Sequence, residues 1–99
     1  MNVKIQAIHF DADQKLIEMI EEKIQRITHF YDQPMTTTVY LKLDRGNDHV
    51  HQKVVEIKVL ASSKVIYAEE KSNSFESSFD VALDHVVKQV KRHKEKLHG

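Results

Sequence analysis

The chain has 99 residues, which is enough for one small domain built around one hydrophobic core. Fifteen basic and fifteen acidic side chains give a formal net charge of zero, so a uniformly basic coat for nucleic acid is excluded. No cysteine is present, which excludes disulfides, thiolate zinc sites and a cysteine nucleophile. The sequence has neither an apolar run of membrane-spanning length nor a signal-peptide-like start, and we expect a cytoplasmic protein.

The first half of the chain alternates between the period of a strand and that of a helix. Residues 2–9 alternate polar and apolar side chains, as a half-buried strand does. Over residues 14–31 apolar side chains recur every three or four positions, which predicts a helix that Pro34 brings to an end. Residues 36–44 return to a period of two and predict a second strand, and residues 45–48 have the composition of a turn.

The second half predicts two more strands and one long helix. Residues 50–61 and 64–70 read as strands separated by the short turn Ser62-Ser63, so strands two to four should form an antiparallel meander. A helix with one apolar stripe then runs from Phe75 to about Leu97. The predicted order is β-α-β-β-β-α, an α+β fold with two helices packed on one face of a four-stranded sheet. This layout resembles that of double-stranded-RNA-binding domains.

The zero net charge is a cancellation between two parts of the chain. Residues 1–84 carry a net charge of −4, and residues 85–99 carry +4. Cations near the C-terminal end of a helix complement its dipole, but five basic residues in fifteen exceed what that requires. An anionic partner is therefore one hypothesis for this end, and a solvated lysine-rich helix is the other.

Basic side chains also collect on one flank of each predicted helix. On a helical wheel, those of the first helix lie together at one edge of the apolar stripe, while acidic residues occupy the back. In the second helix, Lys88 and Arg92 lie four residues apart on the solvent side. Two such flanks are suited to gripping phosphates along an RNA groove, and ordinary surface pairing such as Glu22 with Arg26 is the alternative.

Three segments carry a family resemblance that covers nearly the whole chain. Residues 20–31 are similar to a first helix that ends in a run containing lysines and then an aromatic residue. Residues 65–69 followed by 75–80 are similar to a last strand that leads into a second helix. Residues 84–92 are similar to a helical stretch in which an aspartate is followed by the run basic-Gln-aliphatic-x-basic. Together they resemble the ribosome hibernation promoting factor family, once called sigma-54 modulation proteins. Glu76 departs from the family pattern, which has tyrosine there.

The resemblance implies a ribosome-binding translation inhibitor that occupies the mRNA and tRNA channel of the small subunit and stores inactive ribosomes under stress or in stationary phase. The implied partners are 16S rRNA and neighbouring ribosomal proteins, with no membrane, small-molecule substrate or cofactor. The chain resembles the family's short form, a single ribosome-binding domain over residues 1–99 without a C-terminal dimerisation domain. With the family considered, RNA binding becomes the preferred interpretation of the basic flanks. The predicted RNA-binding residues are Lys15, Lys23 and Arg26 in the first helix and Lys88, Lys91, Arg92 and Lys94 in the second.

The sequence also bears on three other classes of function. The chain has no glycine-rich phosphate loop and no G-x-S-x-G elbow, so we expect no enzyme. His9, His49 and His51 could bring three imidazoles together, but no carboxylate-supported metal motif accompanies them and we predict no metal site. The remaining alternative is a protein-interaction module of the same fold, with an edge strand that pairs with a partner and no ribosome binding.

Overall fold

The structure of the protein is a computed structural model that describes residues 1–45 and 51–98. The elements are β1 (Asn2–Ala7), α1 (Gln14–Ile24), a 3₁₀ helix (Gln25–His29), β2 (Met35–Arg45), β3 (His51–Ala61), β4 (Lys64–Ser72) and α2 (Phe75–His98). The predicted β-α-β-β-β-α order is therefore confirmed. Apart from Arg45, which ends β2, the predicted turn at 45–48 lies outside the described residues.

The four strands form one sheet in their sequence order, β1-β2-β3-β4. β1 pairs with β2 in parallel, as a crossover through α1 requires, and Ile5 lies opposite Val39. β2, β3 and β4 pair in antiparallel fashion, so the predicted meander is confirmed. The sheet thus has two edges, formed by β1 and β4.

Both helices cover the same face of the sheet and close one hydrophobic core. The period-two strands place alternate side chains such as Val39 and Ile57 on that face, where both are fully buried. The buried helical side chains that meet them are Ile20, Ile24, Ile27, Phe79, Ala82, Leu83, Val86, Val87 and Val90. Over residues 1–45 and 51–98, no helix has the combination of length and apolar composition that crossing a bilayer requires.

The first helical segment differs from its sequence-based prediction in one respect. The sequence predicts an α-helix through Tyr31, whereas α1 ends at Ile24 and a 3₁₀ helix continues to His29. The buried residues Ile24 and Ile27 are three apart, a step that the three-residue turn of a 3₁₀ helix places on one face. The Thr28 hydroxyl also donates a 2.6 Å hydrogen bond to the Gln25 carbonyl within this tighter turn.

The opposite face of the sheet is open and carries a small polar network around Glu56. The Tyr67 hydroxyl donates hydrogen bonds to Glu56 (2.8 Å) and Glu69 (3.0 Å), and Lys42 Nζ lies 3.0 Å from the other Glu56 oxygen. Burial alone raises the pKa of Glu56, but the hydrogen bonds from its neighbours outweigh it and leave this pKa below its ordinary value. Partial burial, reinforced by the two carboxylates, raises the pKa of Tyr67 well above its ordinary value.

The lowered pKa of Glu56 predicts an acid-sensitive contribution to stability. The ionised carboxylate stabilises the fold above its unfolded-state pKa, and this stabilisation is lost as pH falls through the lower folded-state pKa. We therefore expect Glu56→Gln to be less stable than the parent at pH 7, by a margin that shrinks as the pH is lowered toward 3, in urea unfolding. The control is Glu21→Gln, at an exposed position on α1. A margin for Glu56→Gln that stays constant with pH would contradict the assignment.

The turn between β3 and β4 forces two serines into the left-handed region. Ser62 has φ 48° and Ser63 has φ 67°, as the tight two-residue hairpin turns that match strand twist require. This conformation disfavours residues that carry a Cβ. The Tyr31 hydroxyl lies 2.5 Å from Ser62 Oγ, so a hydrogen bond from the segment after the 3₁₀ helix holds the turn in place.

Glycine at the second turn position should stabilise the protein. Because glycine adopts positive φ without a steric penalty, we expect Ser63→Gly to raise the free energy of unfolding by about 0.5–1 kcal/mol. Ser62 is left unchanged because its hydroxyl contacts Tyr31. The matched control is Ser77→Gly in the first turn of α2, where glycine should destabilise by about 0.5 kcal/mol because of its lower helix propensity. Equal signs for the two substitutions would argue against this description of the turn.

Candidate nucleic-acid interface

α1 and α2 lie side by side and run in the same direction, with the exposed charges of α2 divided along its length. The Ser77 backbone N–H donates to Ser74 Oγ (3.1 Å), which caps the start of α2. Its first half has exposed acidic residues at positions 76, 80 and 84, and its second half has exposed basic residues at 88, 91, 92, 94 and 96 with one exposed acid, Glu95. This order suits the helix dipole, and it gives the groove toward α1 an acidic end and a basic end.

The cations of α1 meet the acidic half of α2. Lys23 Nζ lies 2.9 Å from Asp80 Oδ1 and 3.5 Å from Glu76 Oε1, and Arg26 Nη1 lies 2.7 Å from Asp84 Oδ1. The hydrogen bond with Asp80 raises the pKa of Lys23, and the nearby charges of Asp80 and Glu76 act in the same direction. Two of the predicted RNA-binding residues are therefore already paired within the protein.

These pairs are exposed and therefore exchangeable. The side chains of Lys23 and Arg26 are 37% and 47% exposed to solvent, so solvent screens each pair. Exposed pairs of this kind contribute about 0–1 kcal/mol to stability. A phosphate can compete with Asp80 or Asp84 for the same cation, but the two carboxylates reduce the net positive charge that RNA would meet here.

The predicted residues in the second half of α2 lie in a different setting. We call Lys88, Lys91, Arg92 and Lys94 the C-terminal basic cluster. All four are exposed, and within residues 1–45 and 51–98 none of them forms an ion pair. Since these cations keep their full charge for a partner, the cluster forms the centre of the candidate interface.

Phe30 adds an aromatic surface that the sequence analysis did not single out. The ring follows the 3₁₀ helix, is partly exposed, and has Lys91 Nζ 4.3 Å from its centroid. Phe30, Lys91, Lys94 and Glu95 line a shallow pocket of about 430 Å³ beside the cluster. An aromatic face among lysines is the arrangement on which unpaired RNA bases stack. From sequence, only the position of Phe30 just after a basic helix hinted at this.

Lys15 lies apart from the other predicted residues. It occupies the first turn of α1, eight residues and roughly 12 Å along the helix before Lys23. Since α1 and α2 run in the same direction, Lys15 lies near the start of α2, far from the cluster. The seven predicted residues thus divide into an isolated lysine, two paired cations and a cluster of four.

The histidines considered for a metal site can be followed only in part. His9 is exposed and has φ 64° just after β1. His49 lies outside the described residues, and His51 begins β3. Among the described residues, no three side chains of His, Asp or Glu converge as metal ligands would.

Comparison with known proteins assigns the chain to a family whose members include ribosomal proteins. A family model described as sigma 54 modulation protein / S30EA ribosomal protein matches residues 3–98. The chain belongs to this family, as the resemblance of its three sequence segments predicts.

Two relatives carry names that refer to ribosome hibernation. The ribosome hibernation promotion factor of Picosynechococcus sp. is 26% identical over the whole of this chain, which spans about half (52%) of that relative's length. The ribosome hibernation promoting factor of Pseudomonas putida is also 26% identical, over 97% of this chain and 89% of its own length.

Two solved structures have the same fold as this chain. The N-terminal domain of Thermus thermophilus Protein Y superposes with a TM-score of 0.81 at 23% identity, over 94% of this chain and 99% of that domain. A ribosomal subunit interface protein from Coxiella burnetii gives a TM-score of 0.84 at 19% identity, over 96% of this chain and 99% of its own. The predicted α+β architecture is thus that of known structures.

Removing the acidic partners should reveal whether the α1 cations can reach RNA. In Asp80→Asn/Asp84→Asn, Lys23 and Arg26 lose their carboxylate partners, and we expect tighter binding to a fluorescently labelled single-stranded RNA in anisotropy titrations. Two further phosphate contacts would steepen the slope of log affinity against log salt by about 1.4. The control Glu18→Gln/Glu21→Gln makes the same charge change on the back of α1. A salt slope equal to that of the control would place Lys23 and Arg26 outside the RNA contact.

Proposed function

We propose that the chain is a ribosome-binding translation inhibitor that occupies the mRNA and tRNA channel of the small subunit and stores inactive ribosomes under stress. Membership of the family and the hibernation names of two relatives support ribosome binding. The observation on this molecule that supports the proposal is the C-terminal basic cluster, which has no ion pair among the described residues and lies beside the partly exposed ring of Phe30. The partner we propose is 16S rRNA with its neighbouring ribosomal proteins, in the cytoplasm.

The shape and charge of the molecule suit an RNA groove. The molecule is elongated, with extents of 48 × 26 × 19 Å, and the cluster lies on the second half of its longest helix. Each lysine or arginine that meets a phosphate releases counterions, which favours binding and makes it sensitive to salt. Folded RNA is recognised largely through its backbone and shape, so a charged helix surface with one stacking ring is sufficient.

The proposed mode of action is occupancy and not catalysis. A surface depression of about 610 Å³ lies between α1 and α2, and its charged lining includes the Lys23–Asp80 and Arg26–Asp84 pairs. Lys23 and Arg26 are paired there with carboxylates of α2, and we assign the depression no reaction. We propose that residues 1–99 are sufficient for ribosome binding as one domain.

A protein-interaction module of the same fold is the second candidate, and the open face of the sheet is what favours it. Leu60, Val65 and Tyr67 lie beside one another there on β3 and β4, and each keeps about half of its surface exposed. Exposed neighbouring apolar side chains are a common feature of protein contact sites. This candidate requires that the open face, and not the C-terminal basic cluster, carries the binding.

Charge reversal in the cluster should separate the two candidates. We expect the parent chain to co-sediment with small ribosomal subunits at about one copy per subunit, and binding to weaken between about 50 and 300 mM salt. Lys88→Glu/Arg92→Glu should reduce the affinity by at least about tenfold, since it replaces two phosphate contacts with repulsion. The control Lys4→Glu/Lys58→Glu makes the same charge change on the open face of the sheet, where both lysines are exposed, and should bind like the parent.

The opposite results would overturn the proposal. No binding of the parent chain at the lowest salt would exclude a ribosome-directed function for this fold in isolation. Equal losses in both double variants would show a general charge effect and not a contact made by the C-terminal basic cluster. A loss confined to the open-face variant would favour the protein-interaction module.

A further inference from the structure

The side of α2 that faces away from α1 meets β4 along a seam of polar contacts. His85 Nδ1 lies 3.1 Å from Glu70 Oε1. One turn further along α2, Gln89 Nε2 donates a 2.9 Å hydrogen bond to the Tyr67 carbonyl. At both positions the helix side chain finds a complementary partner on the strand.

The next position along the seam breaks this pattern. There α2 and the start of β4 enclose a surface pocket of about 270 Å³, which we call the α2–β4 pocket. Its lining comprises Lys64, Ile66, Gln89, Arg92, His93 and Lys96. Three of these side chains are cations, none is a carboxylate, and within the described chain none of the three cations forms an ion pair. Like charges collected around one pocket repel each other, and an anion between them removes that repulsion.

A second observation in the same pocket is the imidazole of His93. Its Nε2 atom is buried and has no hydrogen-bond partner among the described residues. Buried polar atoms in native proteins nearly always have a partner, and an exception in a pocket calls for a ligand, an ion or a water. The His93 side chain lines the pocket together with the three cations, and its Nε2 atom is a hydrogen-bond donor when it carries a proton.

One aromatic residue holds both walls of the pocket. The Tyr31 ring packs against the His93 ring with centroids 5.7 Å apart, and its hydroxyl hydrogen-bonds to Ser62 in the turn that immediately precedes Lys64. The left-handed turn fixes where β4 begins, and it therefore fixes the backbone position from which the Lys64 side chain extends. Because this framework is already in place, binding would need little ordering of the backbone.

We propose that the α2–β4 pocket binds a phosphate group. The planar guanidinium of Arg92 can hold two phosphate oxygens at once, the two lysines supply point charges, and His93 Nε2–H donates to a remaining oxygen. The site is distinct from the groove between α1 and α2, and it goes beyond ribosome binding because any phosphate of suitable reach fits this chemistry. The two possible sources are a phosphodiester of an RNA strand that passes over α2 and the phosphate of a small molecule.

The test follows the imidazole signals of His93 by NMR in the full chain at constant pH. Three probes are titrated separately: inorganic phosphate, adenosine 5′-monophosphate, and a trinucleotide RNA without a terminal phosphate. Sodium chloride at matched ionic strength corrects for screening. The variant is Lys64→Gln, which removes a pocket cation outside the C-terminal basic cluster. The matched control is Lys58→Gln, an exposed lysine on the open face of the sheet.

We expect a saturable shift of the His93 signals with a Kd on the order of 1 mM for at least one probe. Loss of one charge-assisted contact in Lys64→Gln should weaken that binding about tenfold, with Lys58→Gln unchanged. Saturation by inorganic phosphate or the monophosphate identifies a small-molecule site, and saturation by the trinucleotide alone identifies an RNA backbone site. No saturable shift with any probe, or equal affinities in the two lysine variants, would overturn the proposal. Failure of ribosome co-sedimentation would leave this result unaffected.

Discussion

Burial of the apolar stripe of α2 fixes the polar architecture of the whole molecule. Phe79 and Val86 are fully buried, and burial of each such side chain contributes about 1.5–3 kcal/mol. An exposed ion pair contributes about 0–1 kcal/mol. The apolar contacts therefore determine the rotation of α2 about its axis, and the ion pairs form where that rotation brings charges together. With the stripe facing inward, Asp80 and Asp84 turn toward α1, while His85 and Gln89 turn toward β4.

The fold follows from the sequence because its information is local and periodic. Strands of period two and helices with a single apolar stripe leave few ways to bury those faces, and the predicted layers are confirmed. The 3₁₀ helix at Gln25–His29 was not predicted, although the three-residue step from Ile24 to Ile27 was visible in the sequence. A step of three occurs in both kinds of helix, and only packing selects between them.

The candidate interface was harder to predict because it depends on how two helices meet. A helical wheel describes one helix at a time, so it placed Lys23 and Arg26 on a basic flank without showing that Asp80 and Asp84 face them. Glu76 adds to this pairing, since its carboxylate lies 3.5 Å from Lys23. It therefore adds negative charge to the half of the groove that is already acidic, and the other half of α2 is the positively charged surface.

The division of α2 into an acidic half and a basic half has a consequence for the molecule as a whole. The net charge is zero, yet −4 lies within residues 1–84 and +4 within the last fifteen residues. A body with this distribution is an electric dipole: a uniform field exerts no net force on it but turns it. Near a polyanion the basic end is drawn inward and the acidic end is repelled, within a range of about 10 Å set by the surrounding salt. The molecule is therefore oriented before it makes contact. It avoids the non-specific binding to anions that a large positive net charge causes.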